Sequence, residues 1–171
     1  MDYFEYFGIK SEFQLDLNEL RKKFYEKSRT LHPDFQNSDK DDKIFLSAFN
    51  NQAYQILVDP LSRLKYIIET NKGPIQENHA LLSQDFLMEM MDLHEQVNEA
   101  RTNSDSALIE KFKNELNAME KQSFEDSKSE INAFDNGERN DSIFNGLTVY
   151  YFKLKYFKRV KQALDGGTLE L

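Results

Sequence analysis

The chain has no cysteine and no tryptophan, and only three prolines and six glycines in 171 residues. Without cysteine there can be no disulfide, no thiolate catalysis and no cysteine-ligated zinc or cluster. So few turn-forming residues exclude a β-sandwich or barrel, which needs frequent turns between short strands. No apolar run approaches the ~18 residues of a membrane span. The opening Met1-Asp2-Tyr3-Phe4-Glu5 has no basic region followed by an apolar stretch, so no leader and no membrane partner are expected. Positive charge is short as well. A net charge of −8 speaks against nucleic acid, which demands clustered Lys and Arg against phosphate.

What remains is a helix-friendly mixture, 39% hydrophobic and 30% charged, with 14 Phe and 8 Tyr to build an aromatic core. The length suits one ordinary domain or two small ones. The best boundary is Thr70-Asn71-Lys72-Gly73-Pro74, because Gly-Pro resists helix continuation. Residues 1–73 carry 11 basic and 12 acidic side chains; residues 74–171 carry 11 and 18, so the second part holds nearly all the net charge.

Periodicity predicts helices throughout. Tyr3, Phe4, Tyr6 and Phe7 form a short aromatic segment stopped by Gly8. Asp16, with Glu19 three residues on, reads as a capping box. It opens a helix whose inner stripe is Leu17, Leu20, Phe24, Lys27/Ser28 and Leu31 and whose outer face is mostly basic. That helix stops at His32-Pro33-Asp34, since a proline moves its predecessor out of helical geometry. After a polar stretch a second long helix spans about 42–58, with Leu46, Phe49, Ala53, Ile56 and Leu57 inward. Pro60 then starts a fourth, over about 61–69. The second part reads as three longer helices, about 84–101 (capped by Ser83), 105–134 and 140–164. Short loops between them imply an antiparallel three-helix bundle.

Two constellations carry chemistry. Taken alone, His32-Pro33-Asp34 suits either a helix C-cap followed by a turn or a catalytic His–Asp pair. The second option, a small hydrolase, lacks a nucleophile, a metal-ligand cluster and a phosphate loop nearby in sequence, and His79 and His94 sit in the other half. On 84–101, Phe86, Met90, Leu93, Val97 and Ala100 form one core face. Leu87, Met91 and Met88 lie off it among Asp92, Glu95 and Glu99, more apolar surface than one face requires. The last helix shows a similar excess at Val149, Phe152 and Tyr156.

With His-Pro-Asp between two antiparallel helices, a basic first helix, Asp2-Tyr3-Phe4 and Phe7-Gly8 at the start, and Asn51 to Leu57 in the second, residues 1–70 resemble a J-domain. Asp59-Pro60-Leu61-Ser62-Arg63, the chain length and the following bundle extend the likeness over the whole chain. It resembles the HscB-type J-domain co-chaperones of iron–sulfur cluster assembly. Asn50 departs from the pattern, since relatives often carry an aliphatic residue there. The absence of a cysteine-rich zinc segment resembles the bacterial type.

The resemblance implies an all-α protein: a four-helix J-domain with a long antiparallel helix pair over 1–71, a linker over 72–82, and a three-helix client-binding domain over 83–171. It implies a cytoplasmic co-chaperone that is no enzyme itself, a monomer or weak dimer without cofactor or metal. The expected partner chaperone is a DnaK-class (HscA-like) ATPase, met by His32, Pro33 and Asp34 with Arg21, Lys22, Lys23, Lys27 and Arg29. The expected client is an IscU-like cluster scaffold protein, met by Leu87, Met88, Met91, Asp92, Glu95, Glu99 and Tyr156. Met91, Asp92 and Tyr156 stand where relatives often have Leu, Glu and Phe. An adaptor for a different client is the alternative reading.

Overall fold

The computed structural model describes residues 1–31 and 40–166. Among them the chain forms eight α-helices, one 3-10 turn and no strand. In order these are α1 (Tyr3–Phe7), α2 (Leu17–Thr30), α3 (Lys40–Val58), α4 (Pro60–Lys72), the 3-10 turn His79–Leu81, α5 (Gln84–Thr102), α6 (Ser106–Asp126), α7 (Lys128–Asp135) and α8 (Asp141–Leu164). Side-chain caps set most of the starts. Asp16 accepts from the N–H groups of Asn18 and Glu19, Asp59 from Ser62 ahead of Pro60 at the first position of α4, and Ser83 from Phe86. Gly8 ends α1 at φ 62°, a left-handed conformation that a side chain would strain.

In the first part α2 and α3 lie antiparallel, with α1 packed across both. Leu20, Ala53 and Leu57 are buried between them, while Phe24 stacks on Tyr54 with ring centroids 4.3 Å apart. Leu17, expected on the inner stripe, is 41% exposed; the first turn supplies a cap rather than a core side chain.

Asn50 proves to be a buried polar bridge. It is 1% exposed, and its Nδ2 donates to Ser28 Oγ at 2.9 Å across the α2–α3 seam. Its Oδ1 has no partner. Removing Ser28 alone leaves the buried amide only a long 3.5 Å bond from Nδ2 to the Phe24 carbonyl, whereas replacing both groups by apolar ones removes the polar cost. Ser28→Ala is therefore expected to cost about 1–3 kcal/mol. The pair Ser28→Ala/Asn50→Leu should recover most of that loss in urea unfolding. Equal losses in both variants would mean that the bridge is not what holds this seam.

The second part departs from simple periodicity in two places. The helix expected over 105–134 breaks at Ser127, whose N–H is shared between the Ser123 and Phe124 carbonyls. The break lets α7 turn Ile131 and Phe134 fully into the core. It also carries α7 over Gly146 of α8, where a Cβ would come within 2.5 Å of Glu130 Cγ, so a larger residue there would force the Glu130 side chain to move. The second departure is α8. Phe152 is buried and Val149 is half-buried against the core, so their apparent excess is core and not a free patch. The reason is that α8 is central, packing on α4, α5, α6 and α7 at once.

That centrality joins the two parts. One cluster of buried side chains runs from Phe4, Phe7, Leu20, Leu57 and Leu64 into Ile131, Phe134, Leu147, Tyr150 and Phe152. Phe13 meets Tyr150 edge-on at 5.9 Å. The stretch expected as a linker also packs. Leu82 is buried, Ile75 is half-buried, and Glu77 pairs with Lys155 of α8. Lys72 at the end of α4 pairs with Asp141 at the start of α8. Arg63, 5% exposed, lies over the Phe13 ring and donates to the Leu57 carbonyl at 2.9 Å. Burial lowers its pKa, and the nearby carboxylates of Asp59 and Asp135 oppose that shift.

Candidate protein-docking surfaces

The α2 face turned away from α3 is basic. Arg21, Lys22 and Arg29 are exposed and have no carboxylate partner among the described residues. Lys23 and Lys27 are half-buried on the flank nearer α1, where Lys27 Nζ sits 4.2 Å from the Tyr6 ring centroid. That contact with an aromatic face holds the cation in place and withholds part of it from an incoming partner. Tyr25, 61% exposed, stands one helical turn from both Arg21 and Arg29. Its ring also packs edge-on against Phe24, with centroids 5.3 Å apart. His32, Pro33 and Asp34 lie outside the described residues.

The α5 surface separates cleanly into layers. Met90, Leu93, Val97 and Ala100 are buried beneath α6 and α8, and Phe86 meets Tyr156 edge-on at 6.0 Å. Leu87 is half-buried against the shared core. Met88 and Met91 are 62% and 68% exposed, and Asp92, Glu95 and Glu99 are exposed beside them. Tyr156 is half-buried between α5 and α8, with the Arg159 guanidinium 5.4 Å over its ring. Met88, Met91, Asp92, Glu95 and Glu99 are thus exposed on α5, whereas Leu87 and Tyr156 are partly buried against the core. Toward α6, Met88 also lines an open groove of about 520 Å³ with Asp85, Glu89, Asp92 and Glu115. Among the described residues, no group of three or more His, Asp or Glu side chains is arranged to hold a metal ion. None of the helices described is long and apolar enough to cross a membrane.

A helical hairpin with a basic outer face, stacked on a bundle with an acidic methionine-bearing face, has close counterparts. Residues 2–66 match the family described as "DnaJ domain", and residues 82–165 match "HSCB C-terminal oligomerisation domain". The protein is thus a J-domain protein carrying a second, dedicated helical domain. Over 172 aligned residues it is 32% identical to "Co-chaperone protein HscB homolog" of Vibrio parahaemolyticus, covering 96% of this chain and 95% of the relative. The same figures hold for the homologue of that name in Vibrio campbellii. The solved "Chaperone HscB from Vibrio cholerae" superposes with a TM-score of 0.76 at 27% identity, over 97% of this chain and 96% of that one. The human co-chaperone protein HscB superposes with 0.80 at 26% identity, over 96% and 81%. The chain belongs to the HscB family of J-domain co-chaperones of iron–sulfur cluster assembly, and its partner is an Hsp70-type chaperone.

Proposed function

We propose that this co-chaperone stimulates the ATPase of a specialised, HscA-like member of that chaperone class and delivers an IscU-like scaffold protein to it in the cytoplasm, acting as a monomer or weak dimer. Residues 1–71 form the chaperone-engaging J-domain, 72–82 the connection, and 83–171 the scaffold-binding domain. His32, Pro33 and Asp34 with Arg21, Lys22, Lys23, Lys27 and Arg29 meet the chaperone. Leu87, Met88, Met91, Asp92, Glu95, Glu99 and Tyr156 meet the scaffold.

The observation that carries this reading is the pairing of two unlike exposed surfaces on one body. The exposed cations Arg21, Lys22 and Arg29 on α2 steer a partner with an acidic surface. Two adjacent exposed methionines ringed by carboxylates on α5 offer an adaptable apolar contact inside a polar rim. ATP is cleaved in the chaperone, so the co-chaperone needs no nucleotide site. Its contribution is to raise the effective concentration of client at chaperone.

The steering role is testable by charge reversal. Lys22→Glu/Arg29→Glu removes two exposed cations and adds two anions without touching the core. The concentration needed for half-maximal stimulation should rise by at least ~10-fold at low salt, with much of the wild-type salt dependence lost. An unchanged titration in low salt would remove α2 from the chaperone contact.

A further inference from the structure

The strongest unexplained feature lies between the two proposed docking surfaces. Asp135, the last residue of α7, is buried at 9% exposure, and its carboxylate is spent entirely on the other part of the chain. One oxygen accepts from the Phe13 backbone N–H at 2.6 Å. The other accepts from the Gln14 backbone N–H at 3.1 Å and from Gln14 Nε2 at 3.1 Å. The Asp135 carbonyl takes the Lys10 ammonium, and Asn132, one turn back, takes Gln14 Nε2 at 3.0 Å. A single turn of α7 therefore grips residues 10–14, the segment that leads into the Asp16 cap of the basic helix α2.

The geometry points to Asp135 as a positioning residue: it fixes the direction in which α2 leaves α1 relative to the bundle, and so the orientation of the chaperone surface relative to the client surface. This inference rests on the two-surface reading above. The apolar seam cannot supply that precision alone, because apolar contact is non-directional. Carboxylate-to-amide bonds are directional and strong, and the buried Phe13 N–H has no water as a substitute. Arg63 completes the clamp from the J-domain side, with its guanidinium over the Phe13 ring, so Phe13 is held by ring and backbone at once. Neither Asp135 nor residues 10–14 belong to either docking surface, so removing the carboxylate leaves both surfaces chemically intact.

The absence of native cysteine makes the first test direct. Spin labels at Glu26→Cys on α2 and Gln96→Cys on α5, both exposed, report the distance between the two parts in the full chain. A narrow single distribution is expected with Asp135 present. With Asp135→Ala, and with the near-isosteric Asp135→Asn, which offers an amide donor where the carboxylate accepted, the distribution should widen by about twofold or shift. The second test is function. In both variants stimulation without scaffold, and scaffold affinity by calorimetry, should stay within about twofold of wild type, while the gain from adding scaffold falls roughly tenfold. A purely structural role would lower all three readouts together.

An unaltered distance distribution in both variants, with helicity retained, overturns the proposal and assigns orientation to the apolar seam. Should Asp135→Ala unfold, Asp135→Asn and Gln14→Ala decide the same question. The distance measurement uses no partner, so its failure is distinguishable from a failure of the docking assignments.

Discussion

Scaffold binding should fall by about 10–100-fold when Met88 and Met91 are both replaced by alanine, each exposed methionine accounting for about 0.7–1.4 kcal/mol of contact. Both side chains are more than 60% exposed, so truncation opens no cavity and thermal stability should be unchanged. Leu87 belongs to the same surface but is a poorer probe. It is half-buried against the shared core, and its truncation mixes lost contact with lost packing. The double variant should still stimulate the chaperone in the absence of scaffold, because the α2 surface is untouched. Calorimetry with the scaffold checks the first effect and a single-turnover ATPase assay the second. Wild-type scaffold affinity in the double variant would move the client site off α5.

The second large effect is expected at His32. His32→Gln should return the chaperone's ATP hydrolysis to its unstimulated rate while the circular dichroism spectrum stays that of the wild type. In sequence, His32 directly follows Leu31, the C-cap residue of α2. A carboxylate at Asp34 is suited to charge-assisted bonds with an arginine of the partner. Scaffold affinity should be unaffected, since α5 lies in the other part of the chain. A collapsed spectrum would make His32 a structural residue, and undiminished stimulation would remove it from the chaperone contact.

The fold was legible where a single helix carried its own signal. The 3–4 spacing of Leu46, Phe49, Ala53 and Leu57, the caps at Asp16 and Ser83, and Pro60 at the head of α4 are local features, and each lies where its chemistry puts it. The break at Ser127 was not legible, because that residue makes no side-chain cap and the sequence there contains neither glycine nor proline. The burial of Phe152 was not legible because α8 packs on α4, α5, α6 and α7 at once, and periodicity within one helix does not report such partners. Of the candidate surfaces, Met88 and Met91 stood out as apolar residues on a face already supplied with a core stripe. Asp135 and Asn50 did not. An acidic residue at a helix end reads as a solvated terminus, and an asparagine on an inner face reads as a departure. Their roles depend on Phe13 and Ser28, which only the tertiary fold brings within hydrogen-bond distance.

Whether one body presents client to chaperone is decided by the ATPase rate of the matching Hsp70-type chaperone. The rate is measured with this protein alone, with the cluster scaffold alone, and with both. The account predicts that the two together stimulate far beyond the product of their separate effects. Stimulation by the co-chaperone that is indifferent to the scaffold would contradict it and assign the α5 surface to another client.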